Sequence, residues 1–317
     1  MADWIEQVRS GDRRTLARSL TLAESGDQAL LSALDSVYGD LPRPQRIGIT
    51  GPPGAGKSTL TSSLIAAFRA QGARVGVVAI DPTSPFSGGA LLGDRLRMAR
   101  HALDAAVFVR SMATRGQFGG LSAATEDACD LLALAGFDPL MVETVGVGQS
   151  EVDIARLADT TLVVLTPAAG DSVQALKAGI MEIADVVVIN KSDQEGAARL
   201  EEDVKEALEL RPMPPAGSPL WKPPIVRTVA TIEQGVEGLM AAIAGHRSHL
   251  QHHGLLASLH ARRQERRYEE LVGRGLLACL HAQGAAAAAF ERHRQSVLSG
   301  QLSPREAARR LIEQLGL

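Results

Sequence analysis

The sequence predicts an α/β fold, a doubly wound and mainly parallel sheet with helical extensions at its N-terminal and C-terminal ends, and three observations carry that expectation. Short runs that are apolar throughout alternate with longer amphipathic stretches, the pattern of strands buried on both faces with helices between them. The octapeptide Gly51-Pro52-Pro53-Gly54-Ala55-Gly56-Lys57-Ser58 fits G-x-x-x-x-G-K-[ST] and stands directly after the apolar run Arg46-Ile47-Gly48-Ile49-Thr50. A second motif, Asn190-Lys191-Ser192-Asp193, follows the run Val186-Val187-Val188-Ile189.

The elements follow in order. From Asp3 to Val37, Trp4, Ile5, Val8, Leu16, Leu20, Leu22, Leu30, Leu31 and Leu34 recur at helical spacing, and Gly11 and Gly26 break the segment into pieces. With the linker Gly39-Asp40-Leu41-Pro42-Arg43-Pro44, whose prolines cannot continue a helix, this gives an N-terminal helical cap over 1–44. The nucleotide domain is expected over 45–250. Its strands are read at Arg46 to Thr50, Val75 to Ile80, Val107 to Val109, Leu140 to Val142, Thr161 to Leu165, Val186 to Ile189 and Ile225 to Val229. In such sheets a ligand lies beyond the carboxyl ends of the strands, and the polar motifs follow those ends. The remainder, 251–317, returns to a helical pattern, with a last helix starting at Pro304 behind a Ser303 cap. From Leu255 onward it holds ten Arg, six Glu and no Lys, the mark of a solvated face or a partner interface.

Composition excludes several classes. A net charge of -3 gives no electrostatic footprint for nucleic acid or for an anionic membrane. No uncharged apolar run reaches spanning length, and the first residues carry acid where a signal would be apolar. Cys129 and Cys279 lie far apart in apolar helical patterns and read as buried free thiols in a reducing compartment, so a cytoplasmic location is expected.

The phosphate loop states its chemistry in its residue types. Glycines free the chain to fold as a nest of backbone N–H groups, which feeds the N-terminus of a helix whose dipole favours the same anion. Gly54, Ala55, Gly56, Lys57, Ser58 and Thr59 are the candidate phosphate contacts. Lys57 supplies a point charge for the β and γ phosphates, and Ser58 a hard oxygen for Mg²⁺. Asp81, at the end of one expected strand, and Glu143, at the end of another, complete the proposed magnesium neighbourhood of Ser58, Asp81 and Glu143. Gly146, in Glu143-Thr144-Val145-Gly146, can sense the γ-phosphate.

Asp193 can accept from both N1–H and the 2-amino group of guanine, donors that adenine lacks at those positions. A site built for one hydrogen-bonding partner rejects the analogue that strands its polar groups, so GTP is expected over ATP. Asn190 is expected to brace the loops and Lys191 to cover the base. After Gly146 stands the apolar Val147, which cannot orient water, and Gln149 comes two residues later. Slow intrinsic hydrolysis is expected, accelerated when a partner completes the site.

Three segments together, Asp81-Pro82-Thr83-Ser84-Pro85-Phe86-Ser87-Gly88-Gly89-Ala90-Leu91-Leu92-Gly93-Asp94-Arg95, Arg115-Gly116-Gln117-Phe118-Gly119-Gly120-Leu121 and Glu143-Thr144-Val145-Gly146-Val147-Gly148-Gln149-Ser150-Glu151, closely resemble the MeaB/MMAA (ArgK-like) family of P-loop GTPases. The resemblance runs from Gly11-Asp12-Arg13-Arg14 through Trp221-Lys222-Pro223-Pro224-Ile225 to Arg227-Thr228-Val229-Ala230 and is loosest in the tail. It implies a homodimeric G-protein chaperone of an adenosylcobalamin-dependent acyl-CoA mutase, which gates cofactor loading by binding and hydrolysing GTP. The C-terminal helices would be its dimerisation arm. It further implies switches over Asp81 to Met98 and Glu143 to Arg156, and a third at Gly170 to Lys177, so that Asp94 and Lys177 join Lys57, Asp81, Glu143 and Gln149 as catalytic or coupling candidates. Val229 and Ala230 join the nucleotide contacts, and no cobalamin is expected on this chain.

Two other readings share the nucleotide motifs. A metal-insertion GTPase of the hydrogenase or urease type draws attention to His246, His249, His252, His253 and His260, though a solvated helix end is the expectation there. Some relatives have been called kinases for transport proteins, but no phosphoacceptor-binding feature is evident.

Overall fold

The computed structural model describes residues 2–82, 99–114, 123–144, 150–167, 180–211 and 219–316. The chain separates into two compact units, Met1–His260 and Ala261–Leu317.

The first unit opens with helices α1 (Ala2–Arg9), α2 (Arg13–Ser25) and α3 (Gln28–Asp35). Asp12 and Asp27 cap α2 and α3 by accepting from the backbone N–H groups of Thr15 and Leu30, and Gly26 ends α2 in a left-handed backbone. Then follow β1 (Arg46–Thr50), α4 (Lys57–Ala70), β2 (Val75–Pro82), β3 (Val107–Thr114), α5 (Ala123–Leu134), β4 (Leu140–Thr144), α6 (Ser150–Leu157) and β5 (Thr160–Leu165). The unit closes with β6 (Val186–Asn190), α7 (Ala197–Glu209), β7 (Ile225–Thr228), α8 (Val236–His252) and the beginning of α9 (Leu255–His281).

Among the described residues the seven strands form one sheet in the order β3-β2-β4-β1-β5-β6-β7, and every pairing is parallel. The apolar runs explain it: β1, β4, β5 and β6 are buried along their whole length, which requires cover on both faces. On one face α2, α5 and α6 join a core with Leu16, Leu20, Leu131, Leu132, Ile154 and Leu157. On the other, α4 and α8 contribute Leu60, Leu64, Ile65, Leu239 and Ile243. The N-terminal helices are fixed to the sheet by polar contacts as well. Arg13 reaches the carbonyls of Asp104, Ala105 and Val107, and Arg110 pairs with Glu24 at 2.6 Å.

Several strands run further than their apolar cores suggest, although β7 stops at Thr228, one residue short of the expected Val229. The expected Val107 to Val109 extends to Thr114, Asp81 lies within β2, and Glu143 and Thr144 are the last residues of β4. Parallel pairing to neighbours carries a strand past its last apolar residue, since the ladder bonds the backbone whatever the side chain.

In the second unit, α9 continues to His281 and is followed by α10 (Ala285–Leu298) and α11 (Pro304–Leu315). Ser303 caps α11 by accepting from the Glu306 N–H, with Pro304 in the first turn. Cys129 is a buried free thiol, whereas Cys279 is exposed, which corrects the reading of both as buried. An apolar pattern on α9 did not imply cover: Leu276 and Leu277 beside it are also exposed. No described helix is long and apolar enough to cross a membrane.

Candidate nucleotide site

β1 ends at Thr50 in the middle of the sheet, flanked by β4 and β5, and hands the chain to the glycine-rich loop. Gly51 crosses so close to β5 that a Cβ would overlap the Val164 carbonyl. Gly56 has φ 85 and caps α4 with no side-chain bond, and a Cβ there would overlap the Asn190 amide. The first N–H groups of α4 therefore have no capping side chain and open toward the loop. Ala55 is fully buried while Gly54 is exposed at the loop's tip.

Lys57, only 6 % exposed, donates from Nζ to the carbonyls of Gly51 and Pro52 at 2.8 and 3.0 Å, so its charge lies inside the loop's curve. Ser58 Oγ donates to Glu143 Oε1 at 2.7 Å, and Thr61 Oγ1 lies 2.8 Å from Glu143 Oε2. Glu143 is 1 % exposed, and a carboxylate so deep must be met by donors. Its depth follows from register, since Glu143 pairs with Ile49 of β1 and with Ala79 of β2. Asp81 is placed by its backbone alone, two residues beyond Ala79 and paired with Ala113 of β3. Thr144 Oγ1 donates to Thr50 Oγ1 at 3.0 Å, tying the ends of β4 and β1 together. Thr59 is half-buried on the first turn of α4.

On the other side of the loop, Asn190 is 2 % exposed and holds three segments at once. Its Nδ2 donates to the Ala55 carbonyl at 2.9 Å, and its Oδ1 accepts from Thr228 Oγ1 and from the Ala230 N–H, both at 3.1 Å. Lys191 adopts φ 54 and donates from Nζ to the Gly54 carbonyl at 2.9 Å, which lays its stem across the loop. Asp193 is exposed on the turn that follows, and Val229 and Ala230 are buried beside Asn190. Ser63 Oγ on α4 donates to the Ala230 carbonyl at 2.8 Å.

The structure thus gathers Gly54, Ala55, Gly56, Lys57, Ser58, Thr59 and Glu143 at the end of β1, with Asn190, Lys191, Asp193, Val229 and Ala230 beside them. Asp94, Gly146, Gln149 and Lys177 lie outside the described residues, as do 83–98 of the first expected switch, 145–149 of the second and the whole of the third. Thr61, Ser63 and Thr228 belong to the same contacts and carry no motif. Helical spacing from Ser58 could have marked Thr61 and Ser62, but nothing local marks Thr228.

His252 and His253 are exposed at the end of α8, as expected of a solvated helix end, whereas His246 and His260 are packed near the beginnings of the strands. His246 is 4 % exposed, with Nδ1 3.0 Å from Thr160 Oγ1 and Nε2 3.4 Å from Asp185 Oδ1, and its ring is tilted against Trp221 with centroids 4.9 Å apart. His260 Nε2 lies 3.1 Å from Asp159 Oδ1, whose other oxygen accepts from the Arg46 N–H. Burial, and then the charge of His249, push the His246 imidazole down to about 4, while burial pushes the Asp185 carboxyl up to about 7. Helical periodicity could not say that the face of α8 carrying His246 meets the sheet.

A central parallel strand running into a buried-lysine loop, a helix behind it, and an asparagine that binds the loop to a second strand end define a P-loop nucleotide-binding protein. The chain belongs to the MeaB family: the model for "Methylmalonyl Co-A mutase-associated GTPase MeaB" matches residues 16–285, and the chain is accordingly a GTPase. It is similar to a GTPase-named protein of Pyrococcus abyssi, 45 % identical over 313 residues that span 98 % of this chain and 95 % of the relative. The mouse methylmalonic aciduria type A homolog is 33 % identical over 320 residues, covering 96 % of this chain and 76 % of the relative. A crystal structure described as the LAO/AO transport system kinase superposes with a TM-score of 0.73 at 29 % identity, covering 100 % of this chain and 97 % of the other.

Proposed function

We propose that this GTPase uses GTP binding and hydrolysis to time cofactor loading into, and protection of, an adenosylcobalamin-dependent acyl-CoA mutase of the methylmalonyl-CoA mutase type. The observation that carries the reading is the family match over residues 16–285, whose description names that mutase, and the mouse relative's name points the same way. In this reading Gly54 to Thr59 bind the phosphates, and Asn190, Lys191, Asp193, Val229 and Ala230 recognise guanine. Ser58 and Glu143, with Asp81, would hold Mg²⁺. Their hydroxyl and carboxylate oxygens are the hard donors that ion takes, and two of them already stand 2.7 Å apart. Bound there, the ion would neutralise charge developing on the phosphates. Lys57 holds positive charge within the loop, and the buried Asn190 keeps the base side registered on the phosphate side.

Gln149, Asp94 and Lys177 are assigned to coupling hydrolysis to the partner. Val147 leaves the chain without an adjacent side chain to orient water, so hydrolysis is slow until the mutase completes the site. The cobalamin belongs to the mutase. The protein acts in the cytoplasm as a homodimer built through the helices of 251–317, and the exposed Tyr268, Leu271, Leu276 and Leu277 on α9 support that use.

The test is capture of partners on immobilised full-length protein with a non-hydrolysable GTP analogue, followed by inactivation kinetics of the captured mutase. Retention of a mutase with slower inactivation supports the proposal; absence of any mutase in the captured fraction, with GTP and with GDP, overturns it. Labelled γ-phosphate appearing on a protein and not in solution would favour the kinase reading that the LAO/AO structure's description suggests.

A further inference from the structure

Two described residues other than glycine hold a left-handed backbone, Lys191 at φ 54 and Glu233 at φ 58. A residue with a Cβ is strained there, and such strain persists where surrounding contacts impose it. Lys191 belongs to the guanine motif and is tied to the Gly54 carbonyl. Glu233 belongs to no motif. It follows the turn Ala230–Ile232, inside a loop closed by the Val229 N–H donating to the Gln234 carbonyl at 3.0 Å. Glycine would adopt that backbone without strain, so what the position uses is the carboxylate.

That carboxylate accepts from Arg100 Nη1 at 3.1 Å, across 133 positions of sequence. Arg100 Nε donates to Ser62 Oγ at 2.7 Å, and the next residue, His101, brings Nε2 to 2.9 Å from the Ser62 carbonyl. The same Nε2 lies 3.0 Å from Ser62 Oγ and 3.1 Å from Arg100 Nε, so the His101 ring packs into this corner, and burial holds it below its ordinary 6.5. Ser62 lies on α4 one turn beyond Ser58, and its neighbour Ser63 holds the Ala230 carbonyl. The loop Val229–Gln234 is therefore fastened to α4 at two points, directly through Ser63 and at its far end through Glu233, Arg100 and Ser62.

We propose that Arg100 and Glu233 are a positioning pair that holds the Val229–Gln234 loop against α4 and thereby sets the affinity for guanine nucleotides. The proposal rests on the reading of Val229 and Ala230 as base-side residues. Arg100 stands two positions past 83–98 in the chain, so the tether lies where the expected first switch ends. Both partners are about half exposed, with side-chain exposures of 48 % and 51 %, so the pair tunes affinity and does not create it.

The test uses the full-length protein and titration with fluorescent GDP. Arg100→Gln and Glu233→Gln should each raise Kd about threefold, the size a half-exposed pair can supply, and leave kcat at saturating GTP unchanged. The double variant should be no weaker than either single one, and Arg100→Lys should recover most of the loss. Glu233→Gly, which removes strain and carboxylate together, should bind as weakly as Glu233→Gln. Wild-type affinity in both single variants, additive losses in the double variant, or full affinity in Glu233→Gly would each overturn the pair's role. Asp193→Asn is measured alongside with GDP and ADP. A preference for guanine lost in that variant supports the base-side reading, whereas a preference retained would remove that reading and the proposal with it.

Discussion

At the scale of single residues, the site depends on places where a methyl group would collide with something that cannot move. Asn190 illustrates this. Its amide is held by Ala55, Thr228 and Ala230, so the space above Gly56 cannot be widened by swinging the side chain aside. Gly56→Ala therefore has to break the Asn190 bond to Ala55 or shift the loop, and it must also carry a Cβ at φ 85. The expected cost is about 2–3 kcal/mol, the sum of one lost buried hydrogen bond and one left-handed residue. Guanine nucleotide affinity should fall by more than tenfold. Denaturant unfolding and GDP titration of the same sample check both, and a variant with wild-type affinity would show that the loop relaxes.

Between elements, the determinants are charges buried where sequence periodicity shows only polar residues. Arg46 opens β1 and pairs with Glu126 at 2.6 Å and Asp130 at 3.0 Å on α5, all of them nearly buried. Arg46→Ala leaves two carboxylates in the core without that cation and should cost about 3–5 kcal/mol. Combining it with Glu126→Gln and Asp130→Asn should be milder than the single change; urea midpoints of the two variants decide. The packing of α8 on the sheet gives a pH signature. The raised Asp185 carboxyl, about 7 against an ordinary 3.8, binds its proton more tightly when folded, so its contribution is complete below pH 3.8 and is lost as pH rises to about 7. The lowered His246 imidazole, about 4 against 6.5, has the opposite sense: its contribution is complete above 6.5 and is lost as pH falls to about 4. Side by side they nearly cancel across that window. Asp185→Asn should leave stability rising with pH between about 4 and 6.5, and His246→Gln should leave it falling between about 4 and 7. Melting temperatures across the window read the two slopes, and slopes of the same sign would contradict the pairing.

For the whole molecule, the second unit carries the largest exposed apolar side chains of α9, with Tyr268 at 68 % and Leu277 at 49 %. If they bury against a second copy, Leu271→Glu with Leu276→Glu should give a monomer by sedimentation while GDP binding persists. The order of elements, the parallel sheet and the nucleotide class were legible in the sequence because apolar runs and two short motifs are local signals. What was not legible is non-local: the depth of His246, the Arg46 cluster, and Thr228 on Asn190 depend on which strand lies beside which, and no periodicity records that. The same non-locality bears on synthesis. The Asn190 amide reaches Ala55 across 135 positions, and Ala230 must be in place before Asn190 is satisfied. At usual elongation speeds a nascent chain shows its glycine-rich loop for on the order of ten to thirty seconds before the wall that faces it exists. Ribosome-bound and prematurely terminated chains ending before Ala230 would therefore not compete for cellular GTP, and nucleotide would act as a ligand for the last step of folding, not the first.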